Sequence, residues 1–151
     1  MKHLVGFGAA AAVAASALPA DLDRMAALRD RLESGACALP GATFYGAGAP
    51  RLPNTSLMRF GDLPAEAVLH HLEHAGVVAA SGAACHAGGN RPSHVLLAMG
   101  ATRLQALAAV RFSLGRETTA DAVDATLGVL QATVTRLQRD RRTAAELTPV
   151  S

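Results

Sequence analysis

The chain has 151 residues, 50% of them hydrophobic, 3% aromatic and 17% charged, with a formal charge of +2. That length suits one domain, or one lobe of a larger enzyme, and so small and dispersed a charge excludes the basic stripe of a dedicated nucleic-acid binder. Two cysteines are too few for a disulfide scaffold or an all-cysteine metal site, and no apolar run reaches the roughly 18 residues of a membrane span without small or helix-breaking residues. Alanine fills 34 positions, so the apolar fraction overstates the core, and 13 arginines stand against a single lysine, Lys2.

Residues 1–20 begin with Lys2 and His3, run apolar from 4 to 15 and reach Ala15-Ser16-Ala17. This is the outline of a secretory signal with an A-x-A cleavage site, and equally of an alanine-rich helix broken at Pro19 and restarted near Asp21. Gly6-Phe7-Gly8-Ala9-Ala10-Ala11 formally matches a dinucleotide fingerprint, yet too few residues precede Gly6 to form the strand that motif needs. Leu22, Met25, Leu28 and Leu32 predict a helix stopping at Gly35. Residues 37–54 are rich in Gly and Pro, with strand-like pieces around Ala38 and at 43–45, and 55–60 read as an extended strand. Pro64 opens a helix with Ala65, Val68, Leu69 and Leu72 on one face. Gly76 ends it, 77–80 read as a short buried strand, 81–92 as a loop and 93–99 as a short helix.

In 109–114, Val110, Phe112 and Leu114 alternate with Arg111 and Ser113, the pattern of a strand with one buried face. Thr118 with Asp121 predicts a capped helix start. Val123, Leu127, Leu130, Val134 and Leu137 carry that helix to about Arg139, before a polar tail that frays. The fold class is α+β, a short and mostly antiparallel sheet packed by helices.

Cys85 is the first candidate for chemistry, because its loop, Ser81-Gly82-Ala83-Ala84-Cys85-His86-Ala87-Gly88-Gly89, offers access to a thiolate. The alternative is a half-buried cysteine packed as a small hydrophobe. Cys37, beside Gly35, reads as structural. His70 and His74 lie one helical turn apart and could share a metal, but no third ligand stands at a recognisable spacing and the order is not H-E-x-x-H, so a solvated polar face is favoured. His86 and His94 flank the cysteine loop. Arg111 points either into a cleft, where its guanidinium would grip a carboxylate in a bidentate fork, or into solvent.

Three segments resemble the C-terminal part of class-V aminotransferases, specifically the cysteine desulfurases: Val78-Ala79-Ala80-Ser81-Gly82-Ala83-Ala84-Cys85, Pro92-Ser93-His94-Val95-Leu96-Leu97-Ala98-Met99-Gly100, and Val110-Arg111-Phe112-Ser113-Leu114-Gly115-Arg116-Glu117-Thr118-Thr119. Arg51-Leu52-Pro53-Asn54-Thr55-Ser56 resembles the family's entry into its small domain, and Leu4-Val5-Gly6-Phe7-Gly8-Ala9-Ala10 its inter-domain helix, which favours a linker helix over a signal peptide. Gly82-Ala83-Ala84-Cys85-His86 is also similar to the selenocysteine lyases.

The resemblance implies the small domain of the fold-type-I pyridoxal-phosphate (PLP) transferases, with a linker and following helix at 1–34, an α+β domain at 35–139 holding the cysteine loop 81–92, and the tail at 140–151. It implies that PLP loosens the bond to the sulfur of L-cysteine, that Cys85 takes that sulfur as a persulfide and leaves alanine, and that the persulfide passes to an acceptor, often for iron–sulfur assembly. Arg111 matches the family's carboxylate-binding arginine, and Asn54 is carried over as a substrate-binding residue.

The family's Ser/Thr-x-His-Lys stretch, cofactor-ring aspartate and phosphate-binding residues are not present in this sequence. No PLP site and no metal site are therefore expected on this chain alone, and a large PLP-binding domain or chain is an expected partner, together with an acceptor protein and the homodimer of the family. Nucleic acid and membrane are not expected partners, and a cytoplasmic location is. The other readings are a selenocysteine lyase part, a PLP-independent persulfide carrier, and a pseudoenzyme with an inert Cys85.

Overall fold

The computed structural model describes the backbone of residues 2–82 and 91–146, with the side chains of these except 2–4 and 17–19. The elements are α1 (Lys2–Ala36), β1 (Ala42–Phe44), β2 (Thr55–Phe60), α2 (Ala65–His74), β3 (Ala80–Ser81), α3 (His94–Ala98), α4 (Arg103–Leu107), β4 (Val110–Ser113) and α5 (Ala120–Glu146). The four strands form one antiparallel sheet in the order β1-β2-β4-β3, so the expected α+β architecture with a short antiparallel sheet is what the chain adopts.

Strand alternation gives the sheet two unlike faces. Ser56, Met58 and Phe60 of β2 and Val110 and Phe112 of β4 are buried on one face. There they meet Leu28, Leu32 and Ala36 of α1, Val68 and Leu72 of α2, and Val123, Leu130 and Val134 of α5, in the main core. Thr55 and Leu57 of β2 and Arg111 and Ser113 of β4 point to the opposite face. Here Leu96 of α3 and Ala106 of α4 bury a smaller cluster with Ala109, against Tyr45, Leu57 and Ala101.

Several local expectations are corrected. The chain stays helical through Pro19, and the segments Val5–Ser16 and Ala20–Ala36 meet at a bend of 69°. A proline removes one backbone donor and crowds the preceding turn, which bends a helix here rather than ending it. Gly6 and Gly8 lie inside the helix α1, so they do not form a dinucleotide-binding loop. The helix ends at Ala36, one residue past the expected stop at Gly35, and the glycine has a packing reason as well. A Cβ there would stand 2.5 Å from Leu127 Cδ1, so the glycine lets α5 cross close to α1.

Ala38 lies in a pair of tight turns, with Leu39 N–H bonded to Ala36 O and Ala42 N–H to Leu39 O. The strand expected at 77–80 shrinks to Ala80–Ser81, and Val78 is exposed. The helix α4, unforeseen in the sequence, starts with a reciprocal capping box between Thr102 and Gln105. For α5, Thr119 rather than Thr118 caps: its Oγ1 accepts from Ala122 N–H, while Thr118 Oγ1 accepts from Gly115 N–H. The helix also runs to Glu146, beyond Arg139, through exposed residues of good helix propensity such as Ala144 and Ala145. Among the described residues no single helix is long and apolar enough to cross a membrane.

Polar ties lock α1 onto this body. Arg31 forks onto both oxygens of Asp124 at 2.6 Å, and Arg24 donates to the carbonyls of Arg116 and Thr118. The most enclosed tie is at Glu33, whose carboxylate receives both Arg51 Nη groups and Ser56 Oγ, each at 2.6 Å. Burial pushes the Glu33 carboxyl up, but the Arg51 fork and the Ser56 hydroxyl outweigh it and hold it below the ordinary value of 4.5. A depressed carboxyl stabilises the fold above its ordinary value, and that stability is lost as pH falls through the folded value. Glu33→Gln is expected to cost about 1–3 kcal/mol at neutral pH. Urea unfolding across a pH series should show the gap to wild type narrowing below pH 4.5; a constant gap contradicts the ionised network.

Candidate functional site

The open face of the sheet carries a transverse row of side chains. Leu57 pairs with Arg111, Arg111 pairs with Ala80, and Tyr45 N–H donates to Leu57 O at 2.9 Å, so Tyr45, Leu57, Arg111 and Ala80 stand abreast across the sheet. Above this row lies an open cavity of about 310 Å³, lined by Tyr45, Leu57, Gly82, Ser93, Met99 and Arg111 among others. The helix α3 and its flanking residues wall one side. Ser93 caps α3, its Oγ accepting from Leu96 N–H at 3.4 Å, and Tyr45 OH donates to Gln105 O of α4 at 3.3 Å. Gly82 closes the sheet end of the cavity, its N–H bonded to Ala109 O at 2.8 Å. A Cβ at Gly82 would stand 3.0 Å from Ala109 Cβ, so glycine permits this close seating.

Arg111 is exposed on β4 and, among the described residues, forms no ion pair. By contrast Arg24, Arg29, Arg31, Arg51, Arg116 and Arg136 are each paired with a carboxylate. Among the described lining residues Arg111 is the one charged side chain, flanked by the partly exposed apolar edges Val95 and Met99. An unpaired guanidinium at an apolar-walled cavity is suited to one anionic group, best a carboxylate that can accept two parallel N–H donors.

The remaining sequence candidates fall elsewhere. Cys85 and His86 lie outside the described residues. Asn54 serves the sheet: its Nδ2 donates to Leu114 O at 3.2 Å, its Oδ1 accepts from Thr55 Oγ1, and Leu114 N–H donates to its carbonyl. Cys37 is exposed at the end of α1 and packs into no core. His94 is an exposed residue opening α3. His70 and His74 are exposed on α2, and among the described residues no group of three or more His, Cys, Asp or Glu could hold a metal. Sequence reading missed Tyr45 and Ser93 as cavity walls. The chain's lone tyrosine and a serine directly before an apolar helical run were the available signals.

The sequence pattern of the family described as Aminotransferase class-V matches residues 1–126. The chain belongs to this family. A cysteine desulfurase of Rhodobacter capsulatus is 43% identical over 135 residues, covering 89% of this chain and 35% of the relative. One of Bradyrhizobium diazoefficiens is 40% identical over 139 residues, covering 92% and 35%. In fold, a NifS-like protein from Rickettsia africae superposes with a TM-score of 0.74 over 85% of this chain and 33% of its own length, at 23% identity. The chain thus spans about a third of the length of the curated relatives it matches.

Class-V aminotransferases work with PLP, which is held by a lysine imine and a charged partner for the ring nitrogen. The described residues around the cavity supply a guanidinium, a phenol and a hydroxyl, but neither an amine nor a carboxylate. Lys2, the one lysine of the sequence, belongs to the first turn of α1, the helix whose later half packs on the other face of the sheet. This residue set does not fit PLP.

Two substitutions separate frame from site. Asn54→Ala is expected to lower stability by about 1–2 kcal/mol, because it leaves a carbonyl at the sheet end short of a donor. Arg111→Ala, exposed and unpaired, is expected to stay within about 0.5 kcal/mol of wild type. Thermal unfolding of both variants checks this, and a marked loss for Arg111→Ala contradicts its assignment to the site rather than the frame.

Proposed function

We propose that this chain is the sulfur-accepting, substrate-gripping part of a cysteine desulfurase. The observation that carries the reading is Arg111, unpaired and exposed at a cavity whose other end is Gly82. Cys85 is three residues beyond Gly82, and three residues of chain span at most about 11 Å. The segment that carries the thiol therefore starts at the rim of the cavity that Arg111 lines.

The chemistry divides accordingly. The Arg111 fork binds the carboxylate of L-cysteine, fixing the amino acid by one end and leaving its sulfur free to meet Cys85. The Cys85 thiolate bonds to that sulfur, which leaves its carbon, and alanine is the other product. Activation of the carbon–sulfur bond belongs to a large domain or chain bearing PLP, since the residues here do not fit the cofactor. The persulfide then serves an acceptor protein. A free thiol of this kind suits a reducing cytoplasm, and a dimer of the family's sort would present two such cysteines.

The test supplies a class-V large domain with its PLP lysine and follows alanine and sulfide release from L-cysteine and, in parallel, selenide from selenocysteine. Cys85→Ser is expected to abolish sulfur transfer. Arg111→Ala is expected to raise KM about tenfold to a hundredfold, the loss of a charge-assisted pair worth about 1.5–3 kcal/mol. Unchanged transfer in Cys85→Ser, or unchanged KM in Arg111→Ala, overturns the corresponding role. Faster turnover with selenocysteine that survives Cys85→Ser favours a selenocysteine lyase. Sulfur loading of Cys85 from a donor enzyme without PLP favours a carrier.

A further inference from the structure

The imidazoles of His70 and His74 are neighbours on α2 in a T-shaped arrangement, with ring centroids 4.4 Å apart and planes at 84°. Both residues are exposed, and they lie one turn apart on the side opposite the buried Val68 and Leu72. With metal–nitrogen bonds of about 2.0–2.1 Å and a nitrogen-to-centroid distance of about 1.1 Å, two imidazoles bound at about 90–110° have centroids about 4.5–5.2 Å apart. The centroid separation is therefore close to that of two imidazoles on one ion, and binding requires the rings to turn so that a nitrogen of each meets it.

His71 does not share this arrangement. Its ring lies 5.8 Å from that of His70 and it is partly buried. The location also favours a cation. His74 is the last residue of α2, where the helix dipole is negative, and exposed Glu73 adds a carboxylate to the same turn.

We propose that His70 and His74 form a two-nitrogen surface site for a borderline divalent cation of the late first row, zinc being the physiological case, with water in the remaining positions. Imidazole ligands select such ions over calcium or magnesium, which take oxygen. The site sits on the helical layer against the core face of the sheet, away from the Arg111 cavity. A metal there leaves that cavity untouched and has open positions to offer a ligand from another molecule.

The test is a calorimetric titration of the tag-free full chain with Zn²⁺, with both cysteines alkylated beforehand so that thiols do not compete. One equivalent should bind in the micromolar range. His70→Gln and His74→Gln should each weaken binding by about tenfold or more, and His71→Gln by less than about twofold. Circular dichroism of each exposed-site variant should match wild type, which separates a lost ligand from a lost fold. No saturable binding at millimolar zinc, or binding that His70→Gln and His74→Gln leave unchanged, overturns the site.

Discussion

Antiparallel pairing of β2 with β4, from Thr55 against Ser113 to Met58 against Val110, decides what each face of the sheet carries. Side chains alternate with period two, so this register sends Met58, Phe60, Val110 and Phe112 into the helical layer and sets Leu57 and Arg111 side by side on the other face. A slip of one residue would drive Arg111 into an apolar core and expose Phe112. Burial of two phenylalanines and their neighbours makes that slip prohibitive. The position of the candidate carboxylate grip is thus a by-product of core packing, and needs no interaction of its own.

The second constraint is the polar tie at Glu33. Arg51, Asn54 and Ser56, all in the stretch that resembles the family's entry to its small domain, turn out to be framework: Arg51 and Ser56 converge on Glu33, and Asn54 joins the start of β2 to the end of β4. This gives physical content to a motif that sequence reading treated as a signature, and shows the Asn54 side chain hydrogen-bonded within the sheet. Fixing α1 against β2 in this way orients the long N-terminal helix, whose exposed Val5, Phe7 and Val13 lie beyond the bend at Pro19.

Elements with a clean period were legible in the sequence. The alternation of 109–114, the apolar face of α2 and the stripe of α5 from Val123 to Leu137 gave the right element types, and β2 has the expected limits. What failed depended on partners far away in the chain. At Gly35 the helix end was legible to within one residue, but the need for glycine there, the crossing of Leu127, lies 92 positions downstream. The two-residue β3 owes its existence to pairing with β4, since an isolated Val77-Val78-Ala79-Ala80 run promised a longer, buried strand. The helix α4 is short and mixed in pattern, with only its Thr102–Gln105 cap as a local sign. For the site, Arg111 was readable from alternation, while Tyr45 and Ser93 needed the sheet and α3 to be assembled first.

The central claim is that Arg111 and Cys85 act on one substrate, the first by its carboxylate and the second by its sulfur. Mass spectrometry of the chain, isolated under non-reducing conditions after turnover of L-cysteine with a PLP-bearing large domain, tests it most directly. The account predicts the mass of one extra sulfur atom on the peptide containing Cys85, absent from the peptide containing Cys37, and strongly diminished when Arg111 is replaced at limiting L-cysteine. Sulfur found on Cys37, or on neither cysteine while alanine is still formed, would contradict it.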